Sequence, residues 1–172
     1  MTTIMHGWAL SEQGQRADGE ARIRGGLATL ADIGDKLFRL YYVAMLAEAL
    51  GKAGRADEGL LALEEAIDGS RSLGLSYWDA AFYRLKGELL LAENQADAAT
   101  AEACFGQAIE IAQAQSARSL ELRAATSLAR LWRDQDKGAE AHDLLVPVYS
   151  WFTEGLETQD LQDAKALLDE LR

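Results

Sequence analysis

The sequence predicts an all-α helical-repeat solenoid of four antiparallel helix pairs closed by a C-terminal capping helix. Three observations predict it. Small residues recur at Gly7, Ala47, Gly87 and Ala129, with lags of 40, 40 and 42. Each is followed three places on by a large apolar residue (Leu10, Leu50, Leu90, Trp132) and seven places on by a turn former (Gly14, Gly54, Asn94, Asp136). Further along, Ile23, Leu63, Phe105 and Leu145 each stand three residues before Gly26, Ala66, Ala108 and Val148, in the same period. Self-similarity at a fixed period of this length is the signature of stacked helical repeats. The composition agrees: strong helix formers dominate, there is one proline, and 49% of the 172 residues are apolar, enough to bury a core.

The elements follow in order, in repeats of about 1–34, 35–75, 76–116 and 117–156, with a cap near 159–172. The first pair is short at its N-terminal end, with a companion helix over about 17–30. The second carries Tyr41, Val43, Leu46, Ala47 and Leu50 on one face, and breaks at Gly51-Lys52-Ala53-Gly54-Arg55. Its return helix starts near Ala56-Asp57, where the acid suits the helix dipole, and buries Leu60, Leu63, Ala66 and Ile67. The third pair runs from Tyr77-Trp78 to Ala92, turns through a loop two residues longer at Glu93-Asn94-Gln95-Ala96-Asp97, and returns over about 99–115. Loop closure entropy grows slowly with length, so that insertion is tolerated. The fourth covers about 120–133 and 139–152. Pro147 falls inside it and predicts a kink that wraps Val148, Tyr149, Trp151 and Phe152 over the last helix; the alternative is a helix end at Val146. That last helix, from Asp160, carries Leu161, Ala164, Leu168 and Leu171 on one face. No linker divides the chain, and the short first pair suggests a piece of a longer array.

Small openers let helices approach closely, and the large residues three places on fill the next groove. The Gly25-Gly26 pair lies within a helical pattern and is no phosphate loop. The net charge of −11 disfavours nucleic acid and anionic membranes as partners. No apolar stretch is long enough to span a bilayer, and the start lacks an export signal. The lone Cys104 fits a reducing, cytoplasmic setting and an inert core thiol. His6 and His142 have no metal-ligand spacing, no nucleophilic constellation is present, and Glu64, Glu65, Glu102 and Glu110 follow solvent-facing spacing. No cofactor, metal or catalytic residue is therefore expected.

The candidate site is the inner face of the first helices: Tyr41 and Glu48 from the second pair, Arg84 and Glu88 from the third, and Arg123, Arg130 and Arg133 from the fourth. Arginine forks suit carboxylate or phosphate groups, and Tyr41 adds a stacking surface. Arg130 and Asp134 also have the i,i+4 spacing of a local ion pair, which is the plainer use of that charge. Tyr77 and Trp78 fit packing between repeats. Trp8 is expected exposed at the N-terminal end, where it could join two copies as a homodimer.

The pattern of small residue, large apolar residue and turn glycine resembles the tetratricopeptide repeat (TPR), whose usual period is 34 residues. A closer resemblance is carried by Gly7-Trp8-Ala9-Leu10, Ala47-Glu48-Ala49-Leu50-Gly51-Lys52-Ala53-Gly54 and Tyr83-Arg84-Leu85-Lys86-Gly87-Glu88-Leu89-Leu90. It continues through Ser119-Leu120-Glu121-Leu122-Arg123-Ala124-Ala125, Ser127-Leu128-Ala129-Arg130-Leu131-Trp132, and Val146-Pro147-Val148-Tyr149-Ser150-Trp151-Phe152-Thr153-Glu154-Gly155. These segments are similar to the TPR-like C-terminal region of bacterial proteins that join a class III adenylate/guanylate cyclase domain, a P-loop ATPase domain and a helical-repeat tail. The resemblance implies a regulatory or scaffolding tail without chemistry of its own, docking a protein segment or another domain of its parent chain. Related tails also end ATPase-coupled transcription regulators, where such a tail would sense an inducer.

Overall fold

The computed structural model describes residues 2–93 and 97–172. Among these, the helices are α1 (Thr2–Glu12), α2 (Arg16–Asp32), α3 (Lys36–Lys52), α4 (Ala56–Ser72), α5 (Asp79–Glu93), α6 (Ala98–Ala114), α7 (Arg118–Asp134), α8 (Gly138–Ser150) and α9 (Gln159–Glu170), and no strand occurs. The fold is all-α, in helix pairs α1–α2, α3–α4, α5–α6 and α7–α8 followed by α9. The longer turn expected around Asn94, Gln95 and Ala96 lies outside the described residues.

The period has a simple local origin. Six helices end in one hydrogen-bonded turn, in which an N–H returns to the carbonyl five residues earlier: Gln15 to Leu10 (2.9 Å), Asp35 to Leu30 (3.0 Å), Arg55 to Leu50 (3.0 Å), Leu75 to Ser70 (2.9 Å), Ala117 to Ala112 (2.8 Å) and Lys137 to Trp132 (2.9 Å). This Schellman closure needs a left-handed residue just before the donor. Gly14, Gly34, Gly54 and Gly74 supply it at φ of +84°, +72°, +79° and +66°, and Ser116 and Asp136 at +55° and +61°. The glycines fall every twenty residues, so a seventeen-residue helix and a three-residue turn form half a repeat.

By its contacts the chain divides into two compact units, Met1–Trp78 with Leu89–Ala96, and Asp79–Glu88 with Asp97–Arg172. In the first, Ile4, Ile23, Leu50, Leu63 and Ala66 are fully enclosed. A Cβ on Gly7 would stand 2.6 Å from the Gly19 carbonyl oxygen and 2.9 Å from Arg22 Cβ, so α1 meets α2 at backbone distance. A Cβ on Gly59 would likewise meet the Ala47 carbonyl oxygen at 2.8 Å, and Gly26 is closed off by Ile4. In the second unit Phe82, Phe105, Leu122 and Leu145 form the centre. Gly87 lies under the Phe105 ring, whose carbons would stand 2.5–2.9 Å from a Cβ there. Gly7, Ala47 and Gly87 therefore lie where a first helix meets its own return helix, as close packing requires, and Ala129 is likewise fully buried.

Pro147 sits within α8, three residues before its end at Ser150. Trp151 differs from expectation: it lies 57% exposed beneath the Arg118 guanidinium, 5.4 Å from its carbon to the ring centroid. α9 buries Leu161, Ala164, Leu167 and Leu168.

Candidate functional site: the faces of the first helices

In the first unit, α1 and α3 are joined by side chains forty residues apart. The Trp8 indole N–H donates to Glu48 (3.4 Å), and the Lys52 ammonium donates to Glu12 (2.5 Å) as well as to Glu48 (2.8 Å). Burial alone would pull Lys52 down, but the two carboxylates outweigh it and raise its pKa. Trp8 is therefore half-buried and anchored rather than free. Glu48, one of the candidate site residues, is tied into this ladder.

In the second unit the same ladder recurs. Glu88 accepts from Arg84 one turn earlier on α5 and from the Ser127 hydroxyl on α7 (2.8 Å). Along α7 the arginine row meets α9, and each side chain finds a carboxylate. Arg123 pairs with Asp160 at 2.6 Å, Arg130 with Asp163 at 3.4 Å, and Arg133 with Glu170 at 2.6 Å. Both residue series ascend together, so α9 runs parallel to α7, as α3 does to α1. Arg130 thus reaches across to α9 instead of forming the local pair with Asp134; that partner goes to Arg133 at 2.9 Å. Asp134 and Glu170 together hold the Arg133 guanidinium more firmly protonated than usual.

Glu121 is a polar centre that the repeat pattern does not reveal. Only 3% exposed, its carboxylate accepts from Arg118 (2.7 Å) and Gln113 (2.9 Å), so both oxygens are satisfied where α6 turns into α7. Its helical register reads like an ordinary first-turn acid, and burial comes from the tertiary packing.

Tyr41 belongs to a different feature of the first unit. Trp78 lies among three rings, with centroids 5.8 Å from Tyr41, 6.4 Å from Phe38 and 5.4 Å from Tyr77. Tyr41 also meets Tyr42 edge-on at 5.4 Å. Phe38 precedes Trp78 by forty residues, as Leu37 precedes Tyr77, and this lag is the signal that could have found it. Cys104 is buried, and desolvation pushes its thiol up despite the nearby Lys86. Among the described residues no group of three His, Cys, Asp or Glu side chains could hold a metal ion, and no helix is long and apolar enough to cross a membrane.

The seven candidate residues thus fall into two sets. Tyr41 and Glu48 stand on α3 in the first unit; Arg84, Glu88, Arg123, Arg130 and Arg133 stand on α5 and α7 in the second. Comparison with solved structures bears on the fold. A chain described as a kinesin light chain with nearly identical TPR-like repeats, from Podosopora anserina, superposes with a TM-score of 0.73 over 99% of this chain and 83% of that one, at 20% identity. A variant of it gives 0.74 with the same coverage and identity. The fold is TPR-like. At that identity the likeness speaks of fold alone. No protein-family model matches the chain. An uncharacterized protein of Rhizobium meliloti (strain 1021) is 33% identical over 129 residues, which are 74% of this chain and 12% of that protein. The chain thus spans about an eighth of the length of this relative.

Proposed function

We propose that the chain is a non-enzymatic protein-interaction module, the regulatory tail of a multidomain bacterial signalling protein. The observation that carries this reading is the use of the first helices. Glu48 and Glu88, forty residues apart, each accept hydrogen bonds from their own first helix and from a neighbouring one, and these faces also carry Tyr41 and the arginines of α7. Such faces recognise a partner by shape and paired charge, and the arrangement supplies surface complementarity instead of convergent reactive groups. The much longer relative supports a place within a larger polypeptide, and the TPR-like fold supports the docking role. A protein segment or another domain of the same parent chain is the partner this reading names.

Within it, Tyr41, Glu48, Arg84 and Glu88 are the docking residues, Glu48 already held by Trp8 and Lys52 and Glu88 by Arg84 and Ser127, while Arg123, Arg130 and Arg133 orient α9 through their carboxylate ladder. The sequence resemblance favours a nucleotide-cyclase parent, with an ATPase-coupled transcription regulator as the second reading. The test is capture of the remaining parent polypeptide, expressed separately, by the wild-type chain and by a Tyr41→Ala, Arg84→Glu variant. Capture should fall at least about tenfold, in line with loss of central aromatic and arginine contacts, while the helical melting curve is retained. Undiminished capture by the folded variant would remove these faces from the docking role.

A further inference from the structure

The exposed ring cluster of the first unit is absorbed neither by the core nor by the polar ladder. Tyr77 is 74% exposed, Phe38 42% and Tyr41 38%, and all three gather around Trp78. Leu37 and Phe38 open α3, and Tyr77 and Trp78 stand at the equivalent positions just before α5. Two consecutive repeats therefore offer the same apolar, aromatic step, a surface suited to an extended segment running from one to the next.

We infer that this cluster docks an extended peptide segment bearing arginine side chains. This deepens the docking reading proposed above and rests on it. Electrostatics choose the cation. Aromatic faces carry the negative side of a quadrupole and attract guanidinium groups, and the chain as a whole carries a net charge of −11. The protein uses the same chemistry internally: among the described residues a cation stands over a ring once, Arg118 over Trp151. No cation of the first unit takes that place over Phe38, Tyr41, Tyr77 or Trp78 among the described residues. Arg39, on the same helix as two of these rings, is engaged by Glu65 at 2.6 Å. An incoming arginine would find the rings uncovered by a cation.

The probe is a synthetic peptide of alternating arginine and glycine, with a glutamine–glycine peptide of equal length as control. The readout is the indole N–H signal of Trp78 in nitrogen-resolved NMR, assigned with Trp78→Phe. The Trp78 signal should shift and saturate with the arginine peptide and stay in place with the glutamine peptide. Tyr77→Ser should weaken binding about two- to fivefold, and Phe38→Ser with Tyr77→Ser more than that, since each exposed cation–ring contact is worth about that factor. Because Tyr77 is so exposed, its single variant keeps the fold and the test intact. Affinity should persist in Arg84→Glu, which disables the docking face of the second unit; loss of parent capture there with peptide binding intact separates failure of the two readings. A silent Trp78, an equal response to the glutamine peptide, or unchanged affinity in the ring variants overturns the inference, the last by assigning binding to diffuse acidic surface. So does a Trp78 signal that moves on simple dilution without peptide, which would make the cluster a contact between two copies.

Discussion

A single missing methyl group decides much of the packing. Phe105 is 1% exposed and cannot retreat from Gly87, so Gly87→Ala should cost about 1–3 kcal/mol in a urea titration. Gly25 lies on an exposed turn of α2 with open space where a Cβ would go. There the better helix propensity of alanine acts alone, and Gly25→Ala should stabilise by about 1 kcal/mol. Two identical chemical changes of opposite sign check the register directly; equal effects would contradict it. Asp136 gives a third case, because its φ of +61° occupies the place that Gly14 and Gly54 fill. Asp136→Gly relieves left-handed strain but frees the unfolded chain, so a gain of about 0.5 kcal/mol is expected. A loss of that size would mean the aspartate side chain holds the turn. The openers and the turn residues Gly14, Gly54 and Asp136 were legible because each obeys a local rule of size or φ. Gly34 and Gly74 obey it too, and are found by reading half the period instead of the whole.

At the level of helices, α9 shows which contacts hold and which steer. Its three pairs with α7 are exposed, with side-chain exposures of 48% and 36%, 45% and 42%, and 39% and 57% for arginine and acid in turn. Pairs of this kind contribute about 0–1 kcal/mol each. Leu167, 3% exposed, carries more. The triple variant Asp160→Asn, Asp163→Asn, Glu170→Gln should therefore lose about 1–2 kcal/mol in total, and Leu167→Ala alone about 2–4 kcal/mol. Hydrogen exchange of the α9 amides measures both; a larger loss from the charge variant would make the ladder, and not the apolar face, the anchor of α9. The arginine row itself was readable from its spacing along α7. Its occupant was not, because whether α9 turns its acids toward α7 depends on the path of residues 151–158, which carry no periodic signal. Phe38 and Glu121 were hidden for a related reason: exposure of the one and burial of the other arise from neighbouring helices.

Within each unit, helices chiefly touch those next to them in sequence, which is why a linear period translated into a fold. Short-range contacts also mean that stability is a sum of neighbour terms, and that part of a unit can open without the rest. Cys104 on α6 allows this to be measured in the second unit, since its thiol is buried and burial pushes its pKa up. Thiolate is the reactive form, so an aromatic disulfide reagent at pH 8 should label the native protein far more slowly than the chain in urea. Two routes to labelling are open. If α6 is exposed only by cooperative loss of α7 and α8, then Leu145→Ala, at a fully enclosed position in α8, should act on the rate. A cost of about 2–4 kcal/mol would speed labelling by roughly 30- to 1,000-fold under native conditions, because each 1.4 kcal/mol of opening free energy is a factor of ten. If α6 instead frays by itself, the rate is set by its own end and the variant leaves it unchanged. Close packing of Phe105 against Gly87, and of the Glu121 carboxylate against Gln113 and Arg118, ties α6 to both α5 and α7, and these contacts favour the cooperative route. Unaltered labelling in the folded Leu145→Ala protein would therefore show that these ties do not make the second unit open as one.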